Sequence, residues 1–283
     1  MKYILKHLKN LSKKFWLSLK VPLKIDVHVT EICNLNCKGC SHFSPLARTE
    51  YLDLKKYATS LQHLAKIEKA IGSIQLLGGE PLLNPELTEI IRITRHYLLN
   101  TNIHILTNGI LLSDDKKLPE NFWSVCQENN VIIKITKYPC KVDYDVIEQR
   151  CENHNVKYEI LGDRGRQGEW AFFPLYKNGF KHWSVKFKFL KLARCSSFNC
   201  FQLVGDKIYP CCHVAYIRHF NNYFGENFKV EESDSVDVTK INKSFQVRKL
   251  LFTATPFCKY CGKGYIPSSW SHSMKNKEEW LAE

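Results

Sequence analysis

The sequence contains no apolar stretch long enough to cross a membrane, and its first 20 residues contain no acidic side chain. A membrane-spanning helix needs about 20 consecutive, mostly apolar residues, so no such helix is predicted. Six lysines within those first 20 residues also interrupt the apolar run that a secretory signal peptide requires. We therefore expect the protein in the reducing cytoplasm, where clustered thiols hold metals or do redox chemistry rather than form disulfides.

The chain nevertheless has 12 cysteines among 283 residues, and its hydrophobic content of 44% is enough for a sizeable core. Its formal net charge of +13 is compatible with an anionic partner, such as a nucleic acid, a membrane surface or a phosphorylated substrate. In residues 1–20, apolar side chains recur at helical spacing among the lysines. Two interpretations stay open: a basic amphipathic helix on an anionic membrane, or a helix packed on the domain, which we favour.

Five predicted strands alternate with helices after this segment, in the order LKIDVHVT, SIQLL, NIHILT, VIIKIT and VKYEIL. Such alternation indicates parallel strands joined by crossover helices. No G-x-G-x-x-G motif follows the first strand, which disfavours a dinucleotide-binding fold. We predict an α/β fold with a full or partial (β/α) barrel, in which active groups lie on loops at the carboxyl ends of the strands.

Three cysteines, Cys33, Cys37 and Cys40, directly follow the first predicted strand, and the next cysteine is Cys126. Three thiolates on one loop can hold three irons of a four-iron cluster, because soft sulfur ligands suit iron. The fourth iron would keep an open coordination position for another ligand. The alternative is a zinc knuckle in which His42 supplies the fourth ligand.

Short polar motifs follow the next three strands: GGEP at residues 78–81, TNG at 107–109 and TKYP at 136–139. The carboxyl ends of parallel strands meet at one side of a barrel, so these motifs should converge with the cysteine loop. GGEP alone could be an ordinary glycine turn followed by proline. Together with the cysteines, it predicts a binding site.

The C-x3-C-x2-C motif after a first strand, with GGEP after a second, resembles the radical S-adenosylmethionine (SAM) superfamily over roughly residues 23–161. The resemblance implies a partial barrel in which the three cysteines ligate a [4Fe-4S] cluster that binds SAM. It also implies reductive cleavage of SAM to methionine and a 5′-deoxyadenosyl radical, which abstracts a substrate hydrogen. An electron donor such as flavodoxin or ferredoxin would supply the electron.

The same resemblance assigns the SAM-binding residues. Gly78, Gly79 and Glu80 would contact the methionine ammonium group, and Thr136 would contact the ribose. Asn108 is a further SAM-binding candidate. The sequence departs from the family at Gly39, where an aromatic residue usually precedes the third cysteine, so His42 or Phe43 would have to cover the adenine.

The second half begins with a loop rich in glycine and aromatic residues that contains Arg164 and Arg166. Arginine offers a planar fork of donors for a phosphate or carboxylate, so this loop is a candidate substrate-binding segment. The alternative is two solvated arginines.

Cysteines return in the C-terminal third. FNCFQLV and KIYPCC predict two strands joined by a Gly205-Asp206 turn, and C-x2-C follows later. This arrangement resembles the SPASM and twitch extensions of radical SAM enzymes, and the single C-x2-C fits the one-cluster twitch form. It implies a second [4Fe-4S] cluster held by Cys195, Cys211, Cys258 and Cys261. Cys200 or Cys212 could replace one of these ligands, and a zinc ribbon is the alternative.

We therefore divide the chain into an N-terminal helix (1–20), a radical SAM core (21–190) and a twitch-like auxiliary unit (191–283). The predicted function is hydrogen abstraction from a small polar substrate, phosphorylated or sugar-like, leading to dehydrogenation or epimerisation. A peptide or protein substrate is the runner-up. The alternative outside the enzymes is a non-catalytic zinc or iron–sulfur protein whose basic surface binds nucleic acid, and we do not favour it.

Overall fold

The computed structural model describes residues 20–163, 170–177, 195, 197, 199–261 and 266–282. The strands are β1 Leu23–Thr30, β2 Ile71–Gly78, β3 Asn102–Thr107, β4 Val131–Lys137, β5 Lys157–Asp163, β6 Trp170–Phe172, β7 Leu175–Tyr176, β8 Phe201–Val204, β9 Lys207–Tyr209, β10 Val236–Asp237, β11 Ile266–Ser268 and β12 Leu281–Ala282. The α-helices are α1 Leu54–Leu64, α2 Leu87–Tyr97, α3 Phe122–Glu128, α4 Tyr144–Asn153, α5 Cys212–Phe224 and α6 Phe245–Phe252.

Eight strands form one sheet in the order β10-β9-β8-β1-β2-β3-β4-β5. Each of the strands β1 to β5 is parallel to the next, as connections through crossover helices require. The predicted α/β fold with a partial (β/α) barrel is confirmed. The first predicted strand has the limits of β1, whereas β2 begins at Ile71, two residues before the prediction.

The predicted C-terminal hairpin is also confirmed: β8 and β9 are antiparallel and are joined at Gly205, whose φ of 57° is left-handed. The position of this hairpin in the fold was not predicted from the sequence. β8 lies beside β1 and is parallel to it, with Leu203 opposite Val27. The hairpin therefore extends the sheet of the core, and α5 follows the hairpin directly.

The two faces of β1 have different chemistry because successive side chains of a strand point to opposite sides. Ile25 and Val27 belong to the main hydrophobic core, together with residues of the surrounding helices. The alternate positions, Asp26 and His28, are buried polar residues, as is Gln75 on β2. The sheet thus has an apolar face towards the helices and a polar inner face.

A second hydrophobic core joins the C-terminal part of the chain to the segment after the cysteine loop. It contains Phe43 together with Tyr216 and Phe220 of α5, Phe257 and Trp280. The predicted helix at residues 1–20 lies outside the described residues except for Lys20. Within the described ranges, no helix has the length and apolar character needed to span a membrane.

Candidate active site

The loops beyond β1, β2, β3 and β4 surround one cavity of about 660 Å³ at the carboxyl ends of these strands. The lining includes all the core residues selected from the sequence: Cys33, Cys37, Cys40, Gly78, Gly79, Glu80, Asn108 and Thr136. Leu161 at β5 and Phe173 also line the cavity and carried no recognised sequence signal, whereas Tyr138, another lining residue, belongs to the TKYP motif. The structure therefore brings together side chains that lie up to 140 positions apart in the chain, from Cys33 to Phe173.

The three thiols of the cysteine loop are close enough to affect one another's ionisation. Burial raises the pKa of Cys33 to about 11, and the negative charges of Cys40 and Glu80 act in the same direction. Burial also raises the pKa of Cys37 to about 12, opposed by a hydrogen bond from Trp270. Three thiols on one loop, of which Cys37 is buried and the other two are half-buried, are a donor set that fits iron, which would displace their protons on binding.

Gly78 and Gly79 allow β2 to approach the start of the cysteine loop. The amide of Gly79 donates to the carbonyl of Thr30, and the amide of Glu80 donates to the carbonyl of Ile32 at 2.7 Å. A Cβ atom on Gly79 would lie 2.0 Å from the oxygen of Ile32, and one on Gly78 would lie 2.1 Å from the oxygen of Thr30. No side chain fits there, which explains both glycines of the motif.

Glu80 is 1% exposed and connects the second and third loops. Its Oε1 accepts from the Thr107 hydroxyl at 2.6 Å and from the Leu82 amide, and its Oε2 accepts from the Asn108 amide at 2.9 Å. Burial raises the pKa of this carboxyl to about 7, against these three hydrogen bonds. Asn108 in turn donates to Asn34 Oδ1 at 2.7 Å, so it links the third loop to the cysteine loop.

His42 lines the cavity, but its Nδ1 lies 2.5 Å from His28 Nε2. The Nδ1 of His28 contacts Glu31 Oε2 at 3.0 Å, and its ring stacks on Tyr216 with 3.5 Å between ring centroids. His42 is therefore part of a buried histidine–carboxylate chain. Phe43 is fully buried in the second core instead. Of the two residues suggested to cover an adenine, only His42 reaches the cavity lining.

The C-terminal residues 266–282, here called the C-terminal strap, run across the cysteine loop. The amide of Lys38 donates to the carbonyl of Ser271, and the amide of Ser273 donates to the carbonyl of Asn36. The indole Nε1 of Trp270 donates to Cys37 Sγ at 3.2 Å. Sequence reasoning missed this segment, because nothing near Trp270 indicates a partner 233 positions away.

Of the C-terminal cysteines selected from the sequence, Cys195 precedes the hairpin and Cys211 follows it as the N-cap residue of α5. The pKa of Cys211 is raised by burial and by the charges of Cys212, Cys261 and Cys195, so these thiols are neighbours. Cys258 precedes Cys261 by one turn, in which the Cys261 amide donates to the carbonyl of Cys258. The Sγ of Cys258 lies 3.6 Å from the Thr255 hydroxyl.

The two spare cysteines have other contacts. Cys200 donates to Asp26 Oδ2 at 3.1 Å on the inner face of the sheet. Cys212 is buried, with its Sγ 3.9 Å from His213 Nδ1. Across the described ranges, no group of three or more His, Cys, Asp and Glu side chains has the arrangement of a single metal-ion site. Arg164 and Arg166 lie outside the described residues.

Comparison with known proteins gives a match to the radical SAM superfamily over residues 27–123. The GTP 3′,8-cyclase of Synechocystis sp. is 27% identical over 190 residues, which are 60% of this chain and 54% of that enzyme. The GTP 3′,8-cyclase of Aliarcobacter butzleri is 33% identical over 88 residues, 31% of this chain and 27% of that enzyme. The chain thus spans about half or less of the length of these relatives.

A solved structure covers more of the chain. The crystal structure of BtrN in complex with AdoMet and 2-DOIA aligns with 92% of this chain and 98% of BtrN, with a TM-score of 0.51 and 17% identity. At this level of identity the likeness concerns the fold. It extends over the barrel and the C-terminal extension alike.

Proposed function

We propose that this chain, which belongs to the radical SAM superfamily, cleaves SAM reductively in the cavity beyond β1 to β4 and abstracts a hydrogen atom from a small polar substrate. One observation carries the proposal. A single cavity of about 660 Å³ is lined by the three thiols of the cysteine loop and by Gly78, Gly79 and Glu80. Membership of the superfamily implies a [4Fe-4S] cluster and SAM as cofactors.

The cluster, when bound and reduced, supplies the electron that splits SAM into methionine and a 5′-deoxyadenosyl radical. Cys33, Cys37 and Cys40 would hold it. Gly78 and Gly79 would offer backbone carbonyls to the ammonium group of SAM, and Glu80 would offer a carboxylate. A neighbouring cation favours the ionised form of a carboxyl group, so bound SAM would lower the raised pKa of Glu80. Thr136 and Asn108 would orient the ribose and the rest of SAM.

The substrate we propose is small, polar and phosphorylated or sugar-like, and it is dehydrogenated or epimerised. The name of the matching relatives, GTP 3′,8-cyclase, indicates a nucleotide substrate for those enzymes. BtrN was crystallised with 2-DOIA beside AdoMet. Arg164 and Arg166 would bind an anionic group of the substrate through their donor forks.

We further propose that residues 21–190 form the radical SAM unit and residues 191–283 the auxiliary unit. Cys195, Cys211, Cys258 and Cys261 would hold a second [4Fe-4S] cluster. The charges of Cys212, Cys261 and Cys195 all raise the pKa of Cys211, and this supports a cluster of thiols around Cys211 that includes Cys195 and Cys261. In a dehydrogenation, this cluster would accept an electron from the substrate. Flavodoxin or ferredoxin would reduce the first cluster, and contact of residues 1–20 with a membrane surface is the alternative to the favoured packing of this segment on the domain.

The test is SAM cleavage after anaerobic reconstitution with iron and sulfide. Wild type should form 5′-deoxyadenosine after reduction, and Cys37→Ala should form none, because the loop then offers only two thiolates. Cys126→Ala is the matched control: Cys126 is fully buried in the main core, so its loss should cost about 1 kcal/mol of stability without loss of the product.

Product formation by Cys37→Ala at the wild-type rate would contradict the proposal. A wild-type protein that binds zinc, takes up no iron and forms no product would favour a non-catalytic metal protein. Metal analysis beside product quantification separates these outcomes.

A further inference from the structure

The C-terminal strap is attached to the body at both ends and across its middle. At one end β11 pairs with β6, and at the other β12 pairs with β7. Between them, His272 forms an antiparallel bridge with Cys37. Trp280 donates its indole Nε1 to the carbonyl of Cys40 at 2.8 Å. The cysteine loop is therefore held by backbone and side-chain bonds from a segment more than 230 positions away.

Trp270 is the residue of the strap that donates to a sulfur atom of this loop. Its Nε1 lies 3.2 Å from Cys37 Sγ, within hydrogen-bond range for sulfur. The ring is half-buried between His272, at 4.9 Å between centroids, and Tyr138, at 6.2 Å. These contacts leave the indole N–H aimed at a thiol that is 7% exposed.

We propose that Trp270 is a positioning residue that sets the reduction potential of the cluster by donating a hydrogen bond to the sulfur of Cys37. This inference rests on the proposed function, since it requires Cys37 to be a ligand. A donor beside a ligand sulfur stabilises the form that carries more negative charge, which is the reduced cluster. Trp270 thus makes the cluster easier to reduce, and the strap couples the folding of the auxiliary unit to that property.

Trp270→Phe removes the N–H but keeps an aromatic ring against Tyr138 and His272. Trp280→Phe is the matched control. It also removes one indole N–H from the strap, but that N–H donates to a carbonyl oxygen and not to a sulfur atom. Wild type and both Trp variants are reconstituted, each with and without the additional substitution Cys258→Ala, which removes the auxiliary cluster. Each protein is titrated with reductant, and the reduced cluster is followed by electron paramagnetic resonance.

At a fixed potential, Trp270→Phe should lower the ratio of reduced to oxidised cluster about tenfold, which equals a shift of about 59 mV to more negative values for one electron. Trp280→Phe should leave the midpoint unchanged. In wild type labelled with ¹⁵N-tryptophan, the reduced cluster should couple to an indole nitrogen, and Trp270→Phe should lose this coupling. The labelled wild type keeps the proposal testable even if the variant does not fold.

The inference is overturned if the wild type holds the cluster and cleaves SAM but has no ¹⁵N coupling, or if both Trp variants have the wild-type midpoint. The proposed function would instead be overturned if the wild type takes up no iron, or if the variant Cys37→Ala keeps the first cluster. The two failures are therefore distinguishable.

Discussion

At the scale of single residues, the site depends on positions where a side chain is excluded. Gly79 lies where the backbone after β2 approaches the start of the cysteine loop, and its absent Cβ leaves room for the carbonyl of Ile32. Glu80 then ties the same turn to Thr107 and Asn108. The spacing between the thiols and the proposed SAM-binding residues is thus set by contacts between two backbone segments, the turn after β2 and the start of the cysteine loop.

Gly79→Ala should therefore disturb the cysteine loop. The new Cβ would lie 2.0 Å from the oxygen of Ile32 and 2.8 Å from the nitrogen of Cys33, so the backbone must move. We expect a loss of about 1–3 kcal/mol in the free energy of unfolding, as for other overpacked sites. Iron bound at the first site and SAM affinity, measured by metal analysis and calorimetry, should both fall.

Gly205→Ala is the control for this substitution. An added Cβ at Gly205 would meet no atom within 4 Å, and only its left-handed φ of 57° opposes alanine. We expect a cost of about 1 kcal/mol from that backbone strain and no loss of iron. Full iron content and SAM binding in Gly79→Ala would show that the close approach is not required.

At the scale of elements, helix α5 joins the C-terminal extension to the barrel. It begins directly after Cys211, and its Tyr216 stacks on His28 of β1. Its Arg218 pairs with Glu31 at 3.2 Å and with Glu50 at 2.8 Å. The proposed auxiliary site is therefore adjacent to an element that packs on the strand before the cysteine loop.

The two proposed clusters use separate cysteines, so each should survive loss of the other. Wild type should bind about eight irons per chain. The triple variant Cys33→Ala, Cys37→Ala, Cys40→Ala should keep about four irons and bind no SAM, because four thiolates leave no open iron. Cys258→Ala should keep the SAM-binding cluster and lose the other. Iron and sulfide analysis with SAM-binding measurements checks both results.

Cys200→Ala is the matched control, since the Cys200 thiol donates to Asp26, and its iron content should equal that of wild type. If the triple variant contains one zinc and no iron, the C-terminal cysteines hold a structural zinc site and not an auxiliary cluster. A dehydrogenation would then lack its electron acceptor, and epimerisation or rearrangement would be the better proposal.

At the scale of the whole molecule, the inner face of the sheet is a connected polar network across both halves of the chain. Asp26 of β1 accepts from Gln75 of β2 at 2.6 Å, from Gln202 of β8 at 2.8 Å and from Cys200. Burial raises the pKa of Asp26, against the hydrogen bonds from Cys200 and Gln202. The strands of the core and the hairpin are thus joined by side chains as well as by their backbones.

His104 of β3, which lies on the same inner face, should make the stability of the protein depend on pH. Burial lowers the pKa of its half-buried ring to about 4, and the charges of Lys134 and Lys24 act in the same direction against Glu159. The folded state then binds fewer protons than the unfolded state between about pH 6.5 and 4. Stability is therefore lost as the pH falls through this window.

Urea unfolding of the metal-free protein at about pH 7 and about pH 5 measures this loss. After a reduction for the partial exposure of the ring, His104 should account for about 1 kcal/mol of the difference. His104→Gln should reduce the difference by that amount, while His96→Gln, which removes an exposed ring, controls for the loss of a histidine. An equal pH dependence in wild type and His104→Gln would contradict the assignment.

The sequence by itself determined the alternation of strands and helices, the hairpin at Gly205 and the three-cysteine loop with its GGEP partner. These features depend on local geometry: side-chain periodicity, turn chemistry and the spacing of ligands on one loop. Parallel strands also made it predictable that Glu80, Asn108 and Thr136 would converge with the cysteines, because the carboxyl ends of such strands meet at one side of a barrel.

Only the tertiary structure decided which distant segments became neighbours. The placement of β8 beside β1, the bond from Cys200 to Asp26 and the bond from Trp270 to Cys37 join residues separated by more than 170 positions. No short pattern specifies such pairs, because the free energy that selects them is the burial of whole faces of the molecule rather than the preference of a local segment. The sequence therefore contained the residues for the proposed cluster, and the fold supplied the hydrogen bond to its sulfur.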